Sequence, residues 1–246
     1  MENQIEQFRL IRNKVTRFMM MYKFALEELE TKIRILNDEF HALHEYNPIE
    51  HTKSRVKTPE SIMKKLHRKG IGHNLSSIKE TIRDIAGLRI TCSFIEDIYW
   101  VCDMLKNQTD LRVVEIKDYI QHPKPNGYRS LHMIIQVPVF MSDRQELVYV
   151  EVQIRTIAMD FWASLEHKIF YKYERFVPQQ LLEELKDAAE AATALDRKME
   201  KLHQEIESIK AADRSDLEND FDKIWTKEQG FRIPEALLRL ANEASE

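Results

Sequence analysis

Two runs of alternating apolar and polar residues, at positions 130–137 and 148–155, constrain the fold of this 246-residue chain most strongly. In the second run, four apolar residues alternate with a polar set that includes Glu151, Gln153 and Arg155. Because successive side chains of a β-strand point to opposite faces, these polar residues share one face. A carboxylate, an amide and a guanidinium in a row predict a ligand-binding face on a sheet whose other face is buried.

A hairpin and a third strand extend this predicted sheet. Residues 138–144 can connect the two runs as antiparallel neighbours, which would place His132 on the same sheet as Glu151. Residues 87–92 alternate in the same way, and Asp84 comes just before them. If the polar faces coincide, Asp84 and Glu151 converge on one divalent cation. We expect Mg²⁺, because it is bound by one or two carboxylates together with water and phosphate oxygens.

Long helical patterns precede and follow the predicted sheet. Apolar residues recur at helical spacing over 8–43, which favours a core-packing helix over a coiled coil. A near-heptad pattern over 181–209 predicts a second long helix, which could pack on the first helix or on another subunit. Between the sheet and this helix, we expect a helix over 156–171 with Phe161 and Trp162 in the core.

The most basic part of the chain is 51–73, which contains seven lysines and arginines and one acidic residue. Thr58 and Pro59 predict a helix start, as N-cap and first helical residue. On that helix Lys65 and Arg68 share a face. A helix N-terminus beside such cations suits a polyphosphate, and a solvated basic helix is the alternative interpretation.

Charge and motif content exclude several classes of protein. The formal net charge of −4 and the pI near 6.2 argue against general polyanion binding. The two cysteines, Cys92 and Cys102, form no Cys-x-x-Cys pair, which argues against a disulfide scaffold or a cysteine zinc site. The Walker pattern is absent. The apolar cluster at 18–22 is too short to span a bilayer, and the first residues do not resemble a signal peptide, so we expect a cytoplasmic protein.

Five motifs follow one another along the chain: Asn47-Pro48-Ile49-Glu50 leading into Arg55-Val56-Lys57, Asp84-Ile85-Ala86-Gly87-Leu88-Arg89, Asn126-Gly127-Tyr128-Arg129-Ser130-Leu131-His132, Glu151-Val152-Gln153-Ile154-Arg155-Thr156 and Glu166-His167. In their order and spacing, these motifs resemble those of the RelA/SpoT-type alarmone synthetases, and especially the single-domain small alarmone synthetases. The resemblance implies an α+β fold, with a mixed β-sheet of nucleotidyltransferase type flanked by helices and with long N- and C-terminal helices. The expected divisions are an N-terminal helical extension (1–46), the catalytic domain (47–175) and a C-terminal helical extension with an acidic tail (176–246).

The same resemblance implies a reaction in the stringent response: transfer of pyrophosphate from ATP to the 3′-hydroxyl of GTP or GDP, with release of AMP. The residues expected to bind ATP are Arg55, Lys57, Ser61, Lys65, Arg68 and Arg89, with Arg55 and Arg89 on either side of adenine. The residues expected to bind GTP or GDP are Lys117, Lys124, Asn126, Tyr128, His132, Gln153 and Asp160, with Tyr128 stacked on guanine. Asp84 and Glu151 are expected to be catalytic and to bind Mg²⁺, and Glu151 could also take the 3′-hydroxyl proton.

Three further expectations accompany this assignment. Asp160 stands where some relatives carry Asn, and its carboxylate could accept from the N1 and N2 protons of guanine. The chain contains no His-Asp dipeptide, on which the hydrolase half of the family relies, so we expect synthesis without hydrolysis. The helical seams resemble oligomerising extensions, so we expect a homotetramer.

Two alternative functions remain open at this point. One is a single-stranded RNA-binding module that uses the basic stretch with Tyr128 and His132, but it leaves Asp84 and Glu151 unexplained. The other is a nucleotidyltransferase of the same fold that transfers AMP and releases pyrophosphate. The by-product of the reaction distinguishes the two enzymes.

Overall fold

A mixed sheet of five strands organises the protein. The structure is a computed structural model that describes residues 2–44, 46–70, 74–170 and 177–215. In chain order the strands are β1 (Ile49–Val56), β2 (Ala86–Cys92), β3 (Arg112–Asp118), β4 (Leu131–Phe140) and β5 (Gln145–Thr156). Their spatial order is β1-β2-β5-β4-β3, and β2 and β5 run parallel while the other neighbours are antiparallel. The expected mixed-sheet α+β fold is therefore confirmed.

Six helices surround the sheet or extend from it within the described residues. They are α1 (Glu2–Leu43), α2 (Pro59–Lys69), α3 (Leu75–Thr81), α4 (Ile95–Asn107), α5 (Ile157–Phe170) and α6 (Gln179–Ser215). None of these helices is long and apolar enough to cross a membrane. Contacts divide the chain into two units, Met1–Leu202 and His203–Glu246, and the described part of the second unit is the end of α6. The acidic tail lies outside the described residues.

The alternation in β4 and β5 does divide a buried face from a polar face. Val148, Val150, Val152 and Ile154 are each fully buried. The second half of α1 and the apolar side of α4 cover this face and belong to the same core cluster. Each fully buried aliphatic side chain of this size contributes roughly 1.5–3 kcal/mol to folding, so this face fixes the register of the strands.

Helix α2 begins and ends as its sequence predicts. Thr58 is the N-cap, and its side chain accepts a hydrogen bond from the backbone N–H of Ser61. Pro59 is the first helical residue, and Gly70 ends the helix in the left-handed conformation with φ +63°. Ile62 and Leu66 bury one side of the helix. The packing of this side of α2 places Lys65 near the start of β2.

Strand β1 is not predicted by the sequence pattern. Its burial pattern shows only Ile49 buried, because it is an edge strand whose successive residues are mostly polar. The connection between β4 and β5 is also shorter than expected, since the pairing continues to Phe140↔Gln145 and leaves only 141–144 as the turn. Pro138 is accommodated in β4 because β3 pairs with that strand only as far as Gln136.

The prediction that Phe161 lies in the core is wrong, whereas that for Trp162 is confirmed. Phe161 is 65% exposed and Trp162 is 6% exposed. Successive residues of an α-helix lie about 100° apart. The packing of Trp162 against Ala163 and Ala189 therefore turns Phe161 away from the core.

The predicted core stripe of α1 is confirmed only in its second half. Tyr22, Ala25 and Leu29 are fully buried, whereas Phe8 and Ile11 are 68% and 60% exposed. The sheet is shorter than this 42-residue helix, so it can cover only part of the apolar stripe.

Candidate active site

The strand register brings the polar side chains of four strands onto one face of the sheet. Arg89 on β2 pairs with Gln153 on β5, which in turn pairs with His132 on β4. Glu151 lies two residues before Gln153 and is opposite Gly87. This arrangement confirms the predicted common face of His132 and Glu151, and it extends that face to Arg55 on β1, whose partner is also Gly87.

Asp84 lies in the turn just before β2 and is held by two lysines. Its Oδ2 accepts hydrogen bonds from Lys57 Nζ at 2.9 Å and from Lys65 Nζ at 2.5 Å. Burial acts to raise the pKa of Asp84, but the hydrogen bonds and charges of Lys65 and Lys57 outweigh it and hold that pKa below its usual value. The carboxylate is therefore ionised at neutral pH. Its other oxygen, Oδ1, is buried and has no hydrogen-bond partner among the described residues.

Glu151 presents a second ionised carboxylate on the same face. Its Oε2 accepts a hydrogen bond from Gln153 Nε2 at 2.9 Å, and its Oε1 lies 3.6 Å from His132 Nδ1. Burial acts to raise the pKa of Glu151, but His132 and Gln153 together lower it below its usual value. The charge of Asp84 acts on the same pKa in the raising direction.

The two carboxylates fit a magnesium ion. A buried carboxylate oxygen without a hydrogen-bond partner, such as Asp84 Oδ1, is costly unless a cation or water satisfies it. No cluster of three or more His, Cys, Asp or Glu residues suited to a metal occurs in the described ranges. Mg²⁺ does not need such a cluster, because it is commonly held by one or two carboxylates plus water and substrate phosphates.

A tight loop before β4 positions Tyr128. Asn126 Oδ1 accepts from the backbone N–H of Tyr128 at 3.2 Å, and the N–H of Gly127 donates to the carbonyl of Lys124 at 2.8 Å. Gly127 has φ +86°, a conformation that favours glycine. The Nζ of Lys124 lies 4.7 Å from the ring centroids of both Tyr119 and Tyr128, so a cation–π contact covers the aromatic ring that was predicted to stack on guanine.

Arg155 links the predicted acceptor residues, although it is absent from the set that the resemblance implies. It is 4% exposed. One of its terminal nitrogens, Nη2, donates to Tyr128 Oη at 2.6 Å and to Gln153 Oε1 at 2.8 Å, and its Nε donates to Ser130 Oγ at 3.3 Å. Its place in the polar alternation with Gln153 and Glu151 is the sequence signal for it. Burial of an arginine at that position cannot be deduced from the alternation alone.

The same network connects Arg155 to His132 through Tyr128. An arginine can only donate, so Tyr128 Oη accepts from Arg155 and is free to donate its own proton. The nearest acceptor is His132 Nε2, at 2.7 Å. The other ring nitrogen of His132, Nδ1, faces Glu151. The face therefore presents an ordered series of groups from Arg155 to Glu151.

Asp160, in the first turn of α5, receives two arginines on one oxygen. Arg89 Nη1 lies 2.9 Å and Arg155 Nη1 3.2 Å from Asp160 Oδ1. Burial lowers the pKa of Arg89, and the charge of Arg155 lowers it further, while Asp160 acts in the opposite direction. This carboxylate therefore offsets the repulsion between two neighbouring guanidinium groups.

The remaining predicted residues lie around the rim of this face. Arg55 and Arg68 are exposed, near the end of β1 and in the last turn of α2. Ser61 Oγ lies 3.1 Å from the Oγ1 of the N-cap Thr58. Lys117, on β3, forms a 3.0 Å ion pair with the glutamate two residues earlier and is half exposed. The structure thus brings Lys57 and Lys65 together at Asp84 but leaves the rim cations open to solvent.

Helix α6 covers the loop and the start of α5 from outside. Trp162 Nε1 donates to the carbonyl of Leu185 at 3.1 Å, and a Cβ built on Gly127 would lie 2.5 Å from Ala189 Cβ. Thr156 Oγ1 accepts from the N–H at the start of α5 and donates to Asp196 at 2.6 Å. The sequence patterns do not predict that α6 contributes to the site, because a heptad pattern does not identify the surface that the helix packs against.

Sequence similarity identifies the family of this site. Residues 54–175 match the model described as "Region found in RelA / SpoT proteins". The GTP pyrophosphokinase YwaC of Bacillus subtilis (strain 168) is 59% identical over 189 residues, which cover 77% of this chain and 90% of the relative. The chain belongs to the RelA/SpoT family. A second family member, the GTP pyrophosphokinase YjbM of the same organism, is 40% identical over 197 residues, or 80% of this chain and 92% of the relative.

Solved structures of family members have the same fold. The crystal structure of small alarmone synthetase 2 from Bacillus subtilis is 57% identical with a TM-score of 0.71, and the match covers 77% of this chain and 98% of that one. Small alarmone synthetase 1 from the same organism, solved with its product pppGpp, is 40% identical with a TM-score of 0.73, over 78% and 98% of the two chains. The family and fold implied by the sequence motifs are confirmed.

Proposed function

We propose that this chain is a GTP pyrophosphokinase that makes (p)ppGpp in the stringent response and does not hydrolyse it. It would transfer pyrophosphate from ATP to the 3′-hydroxyl of GTP or GDP. The observation that carries this proposal is Asp84, with a free buried oxygen and two lysines, in the turn that leads into β2, the strand paired with the strand of Glu151. The synthetase assignment agrees with the names of the relatives.

The reaction balances as a single displacement. The 3′-oxygen of the acceptor bonds to the β-phosphorus of ATP, the bond from that phosphorus to the α,β-bridging oxygen breaks, and AMP leaves with that oxygen. The acceptor proton passes to Glu151, whose carboxylate is ionised at neutral pH. In such transfers a protein mainly aligns the reactants and neutralises charge, and this is the task of the cations around Asp84.

ATP would lie over β1, β2 and α2. We assign the adenine to the gap between Arg55 and Arg89, whose strands are neighbours. The phosphates would meet Lys57, Lys65 and the cations of α2. Magnesium, held by Asp84 and Glu151, would supply charge neutralisation at the phosphates. The free Asp84 Oδ1 is the ligand atom that supports this assignment.

The acceptor nucleotide would lie over β4 and the Gly127 loop. Guanine would stack on Tyr128 and donate its N1 and N2 protons to Asp160, while Lys117 and Lys124 bind its phosphates. Asn126 shapes the loop through its bond to the Tyr128 N–H, and Gln153 orients Glu151. His132, between Tyr128 Oη and Glu151, would turn its Nδ1 toward the acceptor ribose.

We further propose a homotetramer in the cytoplasm, where the substrates ATP and GTP or GDP are available. Support for association comes from apolar residues that stay exposed on the described helices: Phe8 and Ile11 on α1, and Leu195 and Met199 on α6. Light scattering of the purified protein should give four times the chain mass of 29.3 kDa. A monomeric mass would remove this part of the proposal.

The products of turnover test the proposed function. The protein is incubated with ATP, Mg²⁺ and GDP or GTP, and the nucleotides are resolved by anion exchange. We expect a more highly phosphorylated guanosine nucleotide and AMP in equal amounts. Replacing GDP by 3′-deoxy-GDP should abolish both products, whereas 2′-deoxy-GDP serves as the matched control. Release of pyrophosphate instead of AMP would identify a nucleotidyltransferase and overturn the proposal.

A further inference from the structure

Arg89 and Asp160 are assigned to different nucleotides in the proposed function, but in the structure they form an ion pair. Arg89 Nη1 lies 2.9 Å from Asp160 Oδ1. Within the part of the chain that the structure describes, this carboxylate is the partner of the Arg89 guanidinium. Arg155 also contacts Oδ1 but is held by Tyr128, Gln153 and Ser130 as well. Arg89 is 31% exposed and Arg155 is 4% exposed, so Arg89 is the more accessible of the two arginines.

The two tasks are incompatible with this ion pair. An arginine that stacks on adenine must place its plane against the base, and a carboxylate that reads guanine must turn both oxygens toward N1 and N2. With Arg89 on Oδ1, Asp160 cannot offer that oxygen to guanine. In this structure, Arg89, which is assigned to adenine, therefore pairs with Asp160, which is assigned to guanine.

We propose that Asp160 couples the two nucleotide sites: it holds Arg89 in the nucleotide-free protein and releases it to adenine when guanine binds. This inference rests on the proposed function. Asp160 then has a role in the donor site as well as the acceptor site, although it contacts only the acceptor base.

Arg89 depends on Asp160 for its counter-charge. Three guanidinium groups, those of Arg55, Arg89 and Arg155, lie near one another, and the charges of Arg155 and Arg55 both lower the pKa of Arg89. Asp160 is the carboxylate that offsets this repulsion. When guanine takes its oxygens, Arg89 loses its counter-charge, and an adenine placed between Arg55 and Arg89 would separate those two cations.

Lys124 likewise occupies a position assigned to guanine, the face of the Tyr128 ring. Its ammonium group lies over Tyr128, 4.7 Å from the ring centroid, where guanine would stack. Guanine binding would therefore also displace Lys124, which becomes available for the acceptor phosphates. In this structure, cations that are assigned to the substrates therefore occupy both groups that guanine would contact, Asp160 and the Tyr128 ring.

A coupling of this kind is reciprocal, because it is a free-energy difference shared by two binding events. GDP should tighten the binding of an ATP analogue, and the analogue should tighten the binding of GDP by the same factor. Couplings between ligand sites typically lie between about 5-fold and 150-fold. We expect at least about a fivefold effect here.

The test is calorimetric titration with an ATP analogue that carries a methylene group between its α- and β-phosphates and so cannot react. The wild type is titrated with the analogue alone and with saturating GDP. For Asp160→Asn, we expect the analogue alone to bind more tightly than to the wild type, and GDP to change its affinity by less than about twofold. The control is Asp143→Asn, which removes a surface carboxylate also paired with two arginines. It should retain the wild-type coupling.

Two results would overturn the coupling. They are a wild-type affinity for the analogue that does not respond to GDP, and an Asp160→Asn variant that keeps the full wild-type factor. The first measurement needs no variant and so is independent of whether Asp160→Asn folds. If the wild type releases AMP but shows no coupling, this inference alone fails. If it releases no AMP from ATP and GDP, the proposed function fails with it.

Discussion

Replacing Asp196 by asparagine should stabilise the protein more at alkaline than at acid pH. Asp196 lies on α6, is 8% exposed, and accepts the hydroxyl of Thr156. Burial raises the pKa of Asp196 from 3.8 to about 6, and the nearby Glu200 adds to this, although the Thr156 hydrogen bond acts against it. A difference of about 2 pKa units corresponds to about 3 kcal/mol, at 1.36 kcal/mol per unit.

The sign follows from proton binding. Between the pKa of the unfolded chain and that of the folded chain, the folded state binds more protons, so stability falls as pH rises through this window and is constant above it. The asparagine variant can still accept from Thr156 but has no charge to bury. The free energy of unfolding of the variant, relative to that of the wild type, should therefore grow by about 3 kcal/mol between strongly acid pH and pH 8. About half of this increase should fall between pH 5 and pH 8.

Urea unfolding at pH 5, 6, 7 and 8 measures this difference. The wild type is compared with Asp196→Asn and with Asp187→Asn, which makes the same chemical change at an exposed position of the same helix. At pH 8, 3 kcal/mol would also raise the melting temperature by about 6–12 °C for a unit of this size. A free-energy difference between Asp196→Asn and the wild type that is equal at pH 5 and pH 8 would refute a raised pKa at this position.

Three other substitutions test the organisation of the acceptor site. Gly127 has φ +86°, and a Cβ added there would lie 2.5 Å from Ala189 Cβ. Gly127→Ala should therefore weaken GDP binding and cost about 1–3 kcal/mol of stability in thermal unfolding. Gly70→Ala, where the added Cβ meets open space, should cost about 1 kcal/mol. Arg155→Lys removes the geometry that joins Tyr128 to Gln153, and steady-state kinetics should show at least about a tenfold rise in KM for GDP with a smaller change for ATP. Tyr128→Phe keeps the ring but removes the hydrogen bond to His132. We expect kcat to fall by a larger factor than the affinity for GDP, which calorimetry measures. An unchanged kcat would contradict the role assigned to His132.

The strands and caps that carry local patterns are predictable from the sequence. The alternation of β4 and β5 is decided by burial on one face, and the start of α2 by the side chain of Thr58. Both signals are contained in a few adjacent residues. Strand β1 lacks such a signal, because an edge strand with polar residues on both faces does not alternate.

The site is predictable as a set of residues but not as a set of contacts. Motifs point to Asp84, Glu151 and Tyr128, whereas the buried position of Arg155 depends at once on partners just before β4, on β5 and on α5. The ion pair between Arg89 and Asp160 joins residues 71 positions apart, and no sequence pattern predicts it. The cover that α6 provides over Gly127 is equally non-local.

The central claim is that Asp84 and Glu151 together carry out pyrophosphate transfer, and the turnover of their amide variants tests it most directly. AMP release from ATP and GDP is followed for Asp84→Asn and Glu151→Gln, beside the matched controls Asp143→Asn and Glu146→Gln, whose carboxylates form ion pairs away from the polar face. We predict a loss of at least about 100-fold in kcat for each site variant and less than about threefold for each control. A folded Asp84→Asn or Glu151→Gln protein with kcat within tenfold of the wild type would contradict the assignment.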